Sequence, residues 1–152
     1  YEFAAHLPVY PPCITNVDDL EFVKKPIYIL IGELDNWVPA EPCVEFIEGL
    51  KFKGHDNASI TIFPNSHHSY DRKTELKVVE SGYSLKDCRL VLESDGTVKT
   101  KDYGFPLSNS FMQKLGLYMC ADKGPIMGGN KEARIKSKDY AVDFFSKHLL
   151  RE

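Results

Sequence analysis

The stretch Pro26-Ile-Tyr-Ile-Leu-Ile-Gly-Glu-Leu-Asp35-Asn-Trp-Val-Pro39 runs into an amphipathic segment and then Ala58-Ser-Ile-Thr-Ile-Phe-Pro-Asn-Ser-His67-His68-Ser-Tyr-Asp71. The architecture follows from these two runs. Ile27 to Ile31 is a nearly unbroken run of strand formers, the pattern of a strand covered on both faces in an α/β sheet. Gly32 releases the chain into a turn. Pro39 suits a first helical position, and Cys43, Val44, Ile47 and Leu50 fall at helical spacing before Gly54. Ala58 to Phe63 reads as a second strand, ended by Pro64-Asn65. Strand, crossover helix, strand is a βαβ unit, and its right-handed crossover makes the two strands parallel neighbours. An acid thus follows one strand and a histidine pair follows the next. Both lie at the sheet edge where open α/β folds bind ligands.

Outward from this unit the pattern is less regular. Phe3 to Tyr10 reads as a short strand closed by Pro11-Pro12, and it opens without a turn or cap, so residues upstream of Tyr1 are expected to be missing. Asn16 to Val23 reads as a polar connection with a helical turn. Cys88 to Leu92 and Thr97 to Thr100, joined through Ser94-Asp95-Gly96, predict a β-hairpin. Ser110 to Cys120 predicts a helix with Phe111, Leu115 and Tyr118 on one face. Residues 73–129 together read as an insertion. Asn130 is a good N-cap for a final helix over Lys131 to Leu150, with Ala133, Tyr140, Ala141, Phe144, Phe145 and Leu149 at three- and four-residue intervals.

Composition excludes several classes. The chain has 152 residues, 43% hydrophobic and 27% charged, which fits one globular domain, or part of one. Its 19 basic and 22 acidic side chains give a net charge of -3, and the lysines are scattered, so no nucleic-acid partner is expected. No apolar run approaches the ~18 residues that span a bilayer, and no membrane partner is expected. Cys13, Cys43, Cys88 and Cys120 show no C-x-x-C spacing, which argues against structural zinc. Two disulfides and four thiols weigh about equally on these grounds, so a periplasmic or secreted location and a cytoplasmic one both stay open.

Asp35 sits on a short turn, where a carboxylate can orient a histidine; the competing reading is a cap for the turn or the helix that follows it. His67 or His68 could be a general base, and adjacent side chains on extended backbone diverge, so only one faces Asp35. Metal binding through His67, His68, Asp71 or His55 lacks a ligand spacing, and no metal or cofactor is expected. Trp37 reads as packing or a pocket wall, His6 as a satisfied core or edge histidine, and Gly128-Gly129 as a weak anion-loop signal. A nucleophile elbow, G-x-S-x-G or its cysteine equivalent, does not occur in the chain.

These residues resemble the C-terminal half of a dienelactone hydrolase-family protein of the α/β-hydrolase fold. The resemblance is carried by Val9-Tyr10-Pro11-Pro12-Cys13, by Leu30 to Ala40 with Cys43, by Phe63-Pro64 with His68-Ser69-Tyr70-Asp71, and by Gly128-Gly129-Asn130 with Ala133. It implies a partial α/β-hydrolase fold, a mainly parallel sheet flanked by helices, interrupted by the hairpin-containing insertion before the last helix. The whole of residues 1–152 is then one truncated domain. By position it implies Asp35 as triad acid and His68 as base, with His67, Trp37 and Tyr70 as candidate pocket residues. It further implies that Cys13 lies near Cys43, with Cys88 and Cys120 as a second pair, and two bridges would favour export. The implied activity is ester or lactone hydrolysis by a Ser or Cys nucleophile outside this chain, so the chain alone is expected to be inactive. The alternative is a non-catalytic binding or interaction domain on the same fold. In either case homo-oligomerisation through surfaces exposed by truncation is expected.

Overall fold

The computed structural model describes residues 3–17 and 22–150. In chain order the elements are β1 (Thr15–Val17), β2 (Ile27–Gly32), α1 (Glu41–Phe52), β3 (Ala58–Phe63), β4 (Lys77–Val78), β5 (Tyr83–Ser84), β6 (Leu90–Leu92), β7 (Val98–Thr100), α2 (Ser110–Cys120), β8 (Asp122–Lys123), β9 (Ile126–Met127) and α3 (Lys131–Leu149). This is a mixed α/β architecture.

β2 and β3 pair in parallel, from Ile27 opposite Ala58 to Gly32 opposite Phe63. β2 is covered on both faces because both of its alternating sets, Ile27, Ile29 and Ile31 on one side and Tyr28 and Leu30 on the other, are large and mostly apolar. On one face Ile27, Ile29 and Ile31 meet Cys43, Ile47 and Leu50 of α1. On the other, Leu30 meets Phe63, Tyr70 and Ala133 of α3. The helix α1 starts two residues later than the sequence suggests, with Ala40 as N-cap and Pro42, rather than Pro39, in its first turn.

Phe3 to Tyr10 does not form a continuous strand. It joins β2 through parallel bridges at His6–Ile27 and Val9–Leu30, with bonds from His6 N to the Pro26 carbonyl at 2.8 Å and from Leu30 N to the Pro8 carbonyl at 3.0 Å. Pro8 has no N–H to return, which breaks the ladder. The expected helical turn over Asn16 to Val23 is corrected in part: Thr15–Val17 is a strand paired in parallel with Leu90–Leu92, and residues 18–21 lie outside the described residues. Backbone pairing across the chain overrides the polar composition of that connection.

Among the described residues the strands form four small sheets rather than one: β1-β6-β7, β2-β3, β4-β9 and β5-β8. The hairpin β6–β7 is antiparallel, and Gly96 supplies the positive φ of 85° that its turn requires. The helix α2 has its N-cap at Asn109, but its Phe111, Leu115 and Tyr118 face solvent, 71%, 40% and 86% exposed, while Gly116 packs inward against Leu107. Hydrophobic spacing located this helix, and the face it picked out is the exposed one. Two disulfides join Cys13 to Cys43 and Cys88 to Cys120, both with Cα atoms 5.0 Å apart. No helix among the described residues is long and apolar enough to cross a membrane.

Candidate active site

Asp35 lies three residues beyond β2 on a turn that its own side chain builds. Its Oδ1 accepts from the amides of Trp37 at 3.0 Å and Val38 at 2.9 Å. The second oxygen, Oδ2, accepts from His68 Nδ1 at 2.9 Å. The two readings of Asp35 are therefore compatible: one oxygen holds the turn and the other holds the imidazole. The Asp35 side chain is fully buried and that of His68 is 18% exposed, so the bond sits in a medium where competing water is scarce. With Nδ1–H committed to the carboxylate, Nε2 is the basic nitrogen.

The histidine loop is tied to the Asp35 turn by backbone. Leu34 N donates to the Ser66 carbonyl at 2.9 Å and Glu33 N to the Phe63 carbonyl at 2.9 Å. Glu33 also accepts from Asn65 N at 2.9 Å. Gly32 is required here because a Cβ would strike the Ser66 carbonyl. Asn65 and Ser69 bracket the histidines with positive φ of 51° and 61°, so the loop turns sharply on both sides of His68.

His68, not His67, bonds to Asp35, and the Nδ1 of His67 is buried with no hydrogen-bond partner among the described residues. The same is true of the Tyr70 hydroxyl and of His6 Nε2, so His6 is not the satisfied histidine expected from its place in an apolar run. Burial pushes the Tyr70 phenol well above its ordinary range, followed by the charge of Asp71. Trp37 is at the site: its ring centroid is 5.1 Å from that of His68. Among the described residues no three His, Cys, Asp or Glu side chains gather as metal ligands.

Three contributors were not singled out by sequence reasoning. Tyr10 lies with its ring centroid 4.6 Å from that of His68; its only sequence signal was a place in the Val-Tyr-Pro-Pro-Cys run. Asn36 and Ser84 fasten residues 73–129 to the turn, since Asn36 Oδ1 accepts from Ile126 N at 2.9 Å and the Ser84 hydroxyl donates to the Asn36 carbonyl. Gly128 N donates to the His68 carbonyl at 3.0 Å, so that amide serves the backbone, and Gly128 and Gly129 are glycines because a Cβ would collide with Glu75 and Arg72.

A buried carboxylate and an imidazole thus lie at the ends of adjacent parallel strands joined by a crossover helix, in an α/β protein. The model of the dienelactone hydrolase family matches residues 1–89, more than half of the chain and both members of the Asp35–His68 pair. The chain belongs to that family, whose fold is the α/β-hydrolase fold. Comparison with curated proteins gave no match, and comparison with solved structures gave none either.

Proposed function

We propose that Asp35 and His68 are the acid and base of an ester or lactone hydrolase whose nucleophile, a Ser or Cys, is supplied by residues outside this chain. The observation that carries this reading is the buried 2.9 Å contact between His68 Nδ1 and Asp35 Oδ2. In the reaction, Nε2 of His68 takes the proton of the nucleophile as it attacks the carbonyl, Asp35 stabilises the resulting imidazolium, and the proton passes to the leaving oxygen; water, deprotonated by the same Nε2, then cleaves the acyl-enzyme and the proton returns to the nucleophile. His67 and Tyr70 carry polar atoms without partners beside this pair and are candidate pocket residues, with Trp37 as a wall. No cofactor enters the scheme.

The sheet edge supports the requirement for more chain. His6, Pro8 and Tyr10 bond toward β2. That places the proline in the paired register and leaves the amides of Ala5, Leu7 and Val9 on the other edge. Natural edge strands are blunted by proline, lysine or a bulge; Phe3 to Tyr10 carries no lysine, and its one proline, Pro8, lies in the register that faces β2 rather than on the outer edge. Grooves flank it on both faces: one of about 600 Å³ where Leu7, Val9, Leu30 and Ile135 meet the charged side chains of Arg134 and Asp139, the other of about 220 Å³ and mainly apolar, including Pro8, Phe22, Ile29 and Phe46. On this reading β2, β3 and Phe3 to Tyr10 are part of a larger parallel sheet, residues 73–129 are an insertion in it, and the chain by itself is inactive and self-associates through the edge. The two disulfides fit an oxidising compartment, and we place the protein in a periplasm or outside the cell.

The second reading, a non-catalytic interaction domain on the same fold, is favoured by one observation: no nucleophile elbow occurs in the sequence. Sequencing the gene upstream of Tyr1 separates the two. A Ser or Cys at a strand-to-helix turn supports the enzyme, and its absence supports the second reading. The extended protein should hydrolyse short activated esters, with His68→Ala lowering kcat/KM by at least ~100-fold. Full activity in His68→Ala rejects the assignment.

A further inference from the structure

We propose that Tyr10 is a positioning residue for His68, its ring setting the plane of the imidazole and stabilising the cation that forms when the imidazole accepts a proton. The proposal rests on Asp35 and His68 being the acid–base pair. It concerns what holds that pair in working geometry.

The torsion that turns an imidazole ring about its Cβ–Cγ bond is broad, so a rotamer well does not fix the ring plane. One hydrogen bond from Nδ1 to Asp35 fixes a point on the ring and leaves the plane able to rock. Contacts from other side chains must do the rest. Tyr10 approaches with a centroid separation of 4.6 Å and an interplanar angle of 59°, and Trp37 with 5.1 Å and 43°. Both lie within the roughly 6 Å at which a ring face attracts a cation. A ring face presented to the imidazole at this range would favour the cation that forms during proton transfer over the neutral ring.

Tyr10 is itself held with unusual firmness for a residue just before two prolines. Its amide donates to the Leu30 carbonyl at 2.7 Å. Its hydroxyl donates to Asp71 Oδ1 at 3.3 Å, and its ring meets that of Tyr70 edge-on at 5.8 Å. Burial, then the Asp71 charge, raises the phenol above its ordinary value, so it stays a neutral donor. Its backbone carries φ of 40°, the left-handed region that a tyrosine seldom occupies. Non-glycine residues persist there when the surroundings over-determine them, and such residues cluster at working sites. The disulfide from Cys13 to Cys43 adds a link between the loop that follows Tyr10 and the helix that follows Trp37. Both rings thus come from segments that are bridged to each other.

The test uses the chain as it exists and does not require turnover. With histidine labelled by nitrogen-15, the Nδ1 proton shared with Asp35 should give a downfield NMR resonance that Asp35→Asn abolishes. Tyr10→Leu should speed exchange of that proton with water by about tenfold, Trp37→Leu should act in the same direction, and Tyr10→Phe should stay within about twofold of the parent. Rescue by phenylalanine assigns the effect to the ring. Unchanged exchange in Tyr10→Leu and Trp37→Leu overturns the proposal and leaves the acid–base pair standing. A Tyr10→Phe variant as fast as Tyr10→Leu also overturns it, because the hydroxyl and Asp71 would then be what matters. A parent protein without the resonance, or one whose resonance survives Asp35→Asn, removes the pair itself.

Discussion

The two halves of this molecule are held together by different forces. Residues 3–17 and 22–72, together with α3, are organised by burial: β2 is nearly sealed, α1 and α3 cover its two faces, and Leu30 and Ile31 have no exposed surface. Each region holds one disulfide, but residues 73–129 bury little and rest on theirs and on local backbone bonds. Their strands are two or three residues long, their helix α2 buries only a glycine, and Cys88–Cys120 joins the base of the hairpin to the end of that helix. The lesson is that the site depends on both. Its acid and base come from the first region, while Ser84, Ile126 and Gly128 of the second clasp Asn36 and His68.

The largest effect should come from the buried region. Leu30→Ala removes a side chain with no exposed surface from between Phe63, Tyr70 and Ala133. A loss of about 4 kcal/mol in denaturant unfolding is expected, from lost transfer energy and a residual cavity. A loss under about 1 kcal/mol would mean that the sheet face collapses freely and that burial does not distinguish this half.

Next comes the cross-link. Cys88 and Cys120 are 32 positions apart, and replacing both with serine should cost about 3.5 kcal/mol if loop closure in the unfolded chain dominates. The distribution of that loss is the sharper test. Hydrogen exchange should accelerate in β6, β7 and α2 while the β2–β3 amides remain protected. Equal acceleration in both regions would show one cooperative unit, and the contrast between the halves would then fail.

What the sequence disclosed follows the same division. Ile27 to Ile31 was legible because a strand covered on both faces is continuously apolar, and Ala58 to Phe63 because it is a short run of strand formers, with Ser59 and Ile62 exposed; the turn after each is marked by Gly32 and Pro64. His68 could be separated from His67 only through the motif that follows it, since spacing treats two adjacent histidines alike. Thr15–Val17 was not legible: three residues of mixed polarity become a strand because Leu90–Leu92 lies alongside, and that partner is 75 positions away in the register Thr15 to Leu90. The direction faced by α2 was hidden for a related reason. An apolar stripe marks a helix, but the side of α2 that packs inward carries Gly116 against Leu107 and ends at the bridged Cys120, which no apolar periodicity marks. Tyr10 escaped notice because its role depends on a φ value and a ring contact that leave no periodic trace.

The smallest expected effects are the most discriminating, because they compare one chemical device in both regions. Asn130 caps α3 through bonds to the amides of Glu132 and Ala133, each at 3.1 Å, and Asn109 caps α2 through Phe111 at 3.1 Å and Met112 at 3.0 Å. Loss of either cap should cost about 1 kcal/mol of helix stability. Asn130 has a further tie that Asn109 lacks: its Nδ2 donates to the Asn65 carbonyl at 3.1 Å, at the start of the histidine loop. Asn130→Ala should therefore lower the global unfolding midpoint and perturb the His68 resonance together. Asn109→Ala should do neither, and should show only as faster exchange within α2. If the two variants shift the global midpoint equally, α2 is coupled to the core as tightly as α3 is, and its exposed aromatic face cannot be ascribed to a loosely attached region.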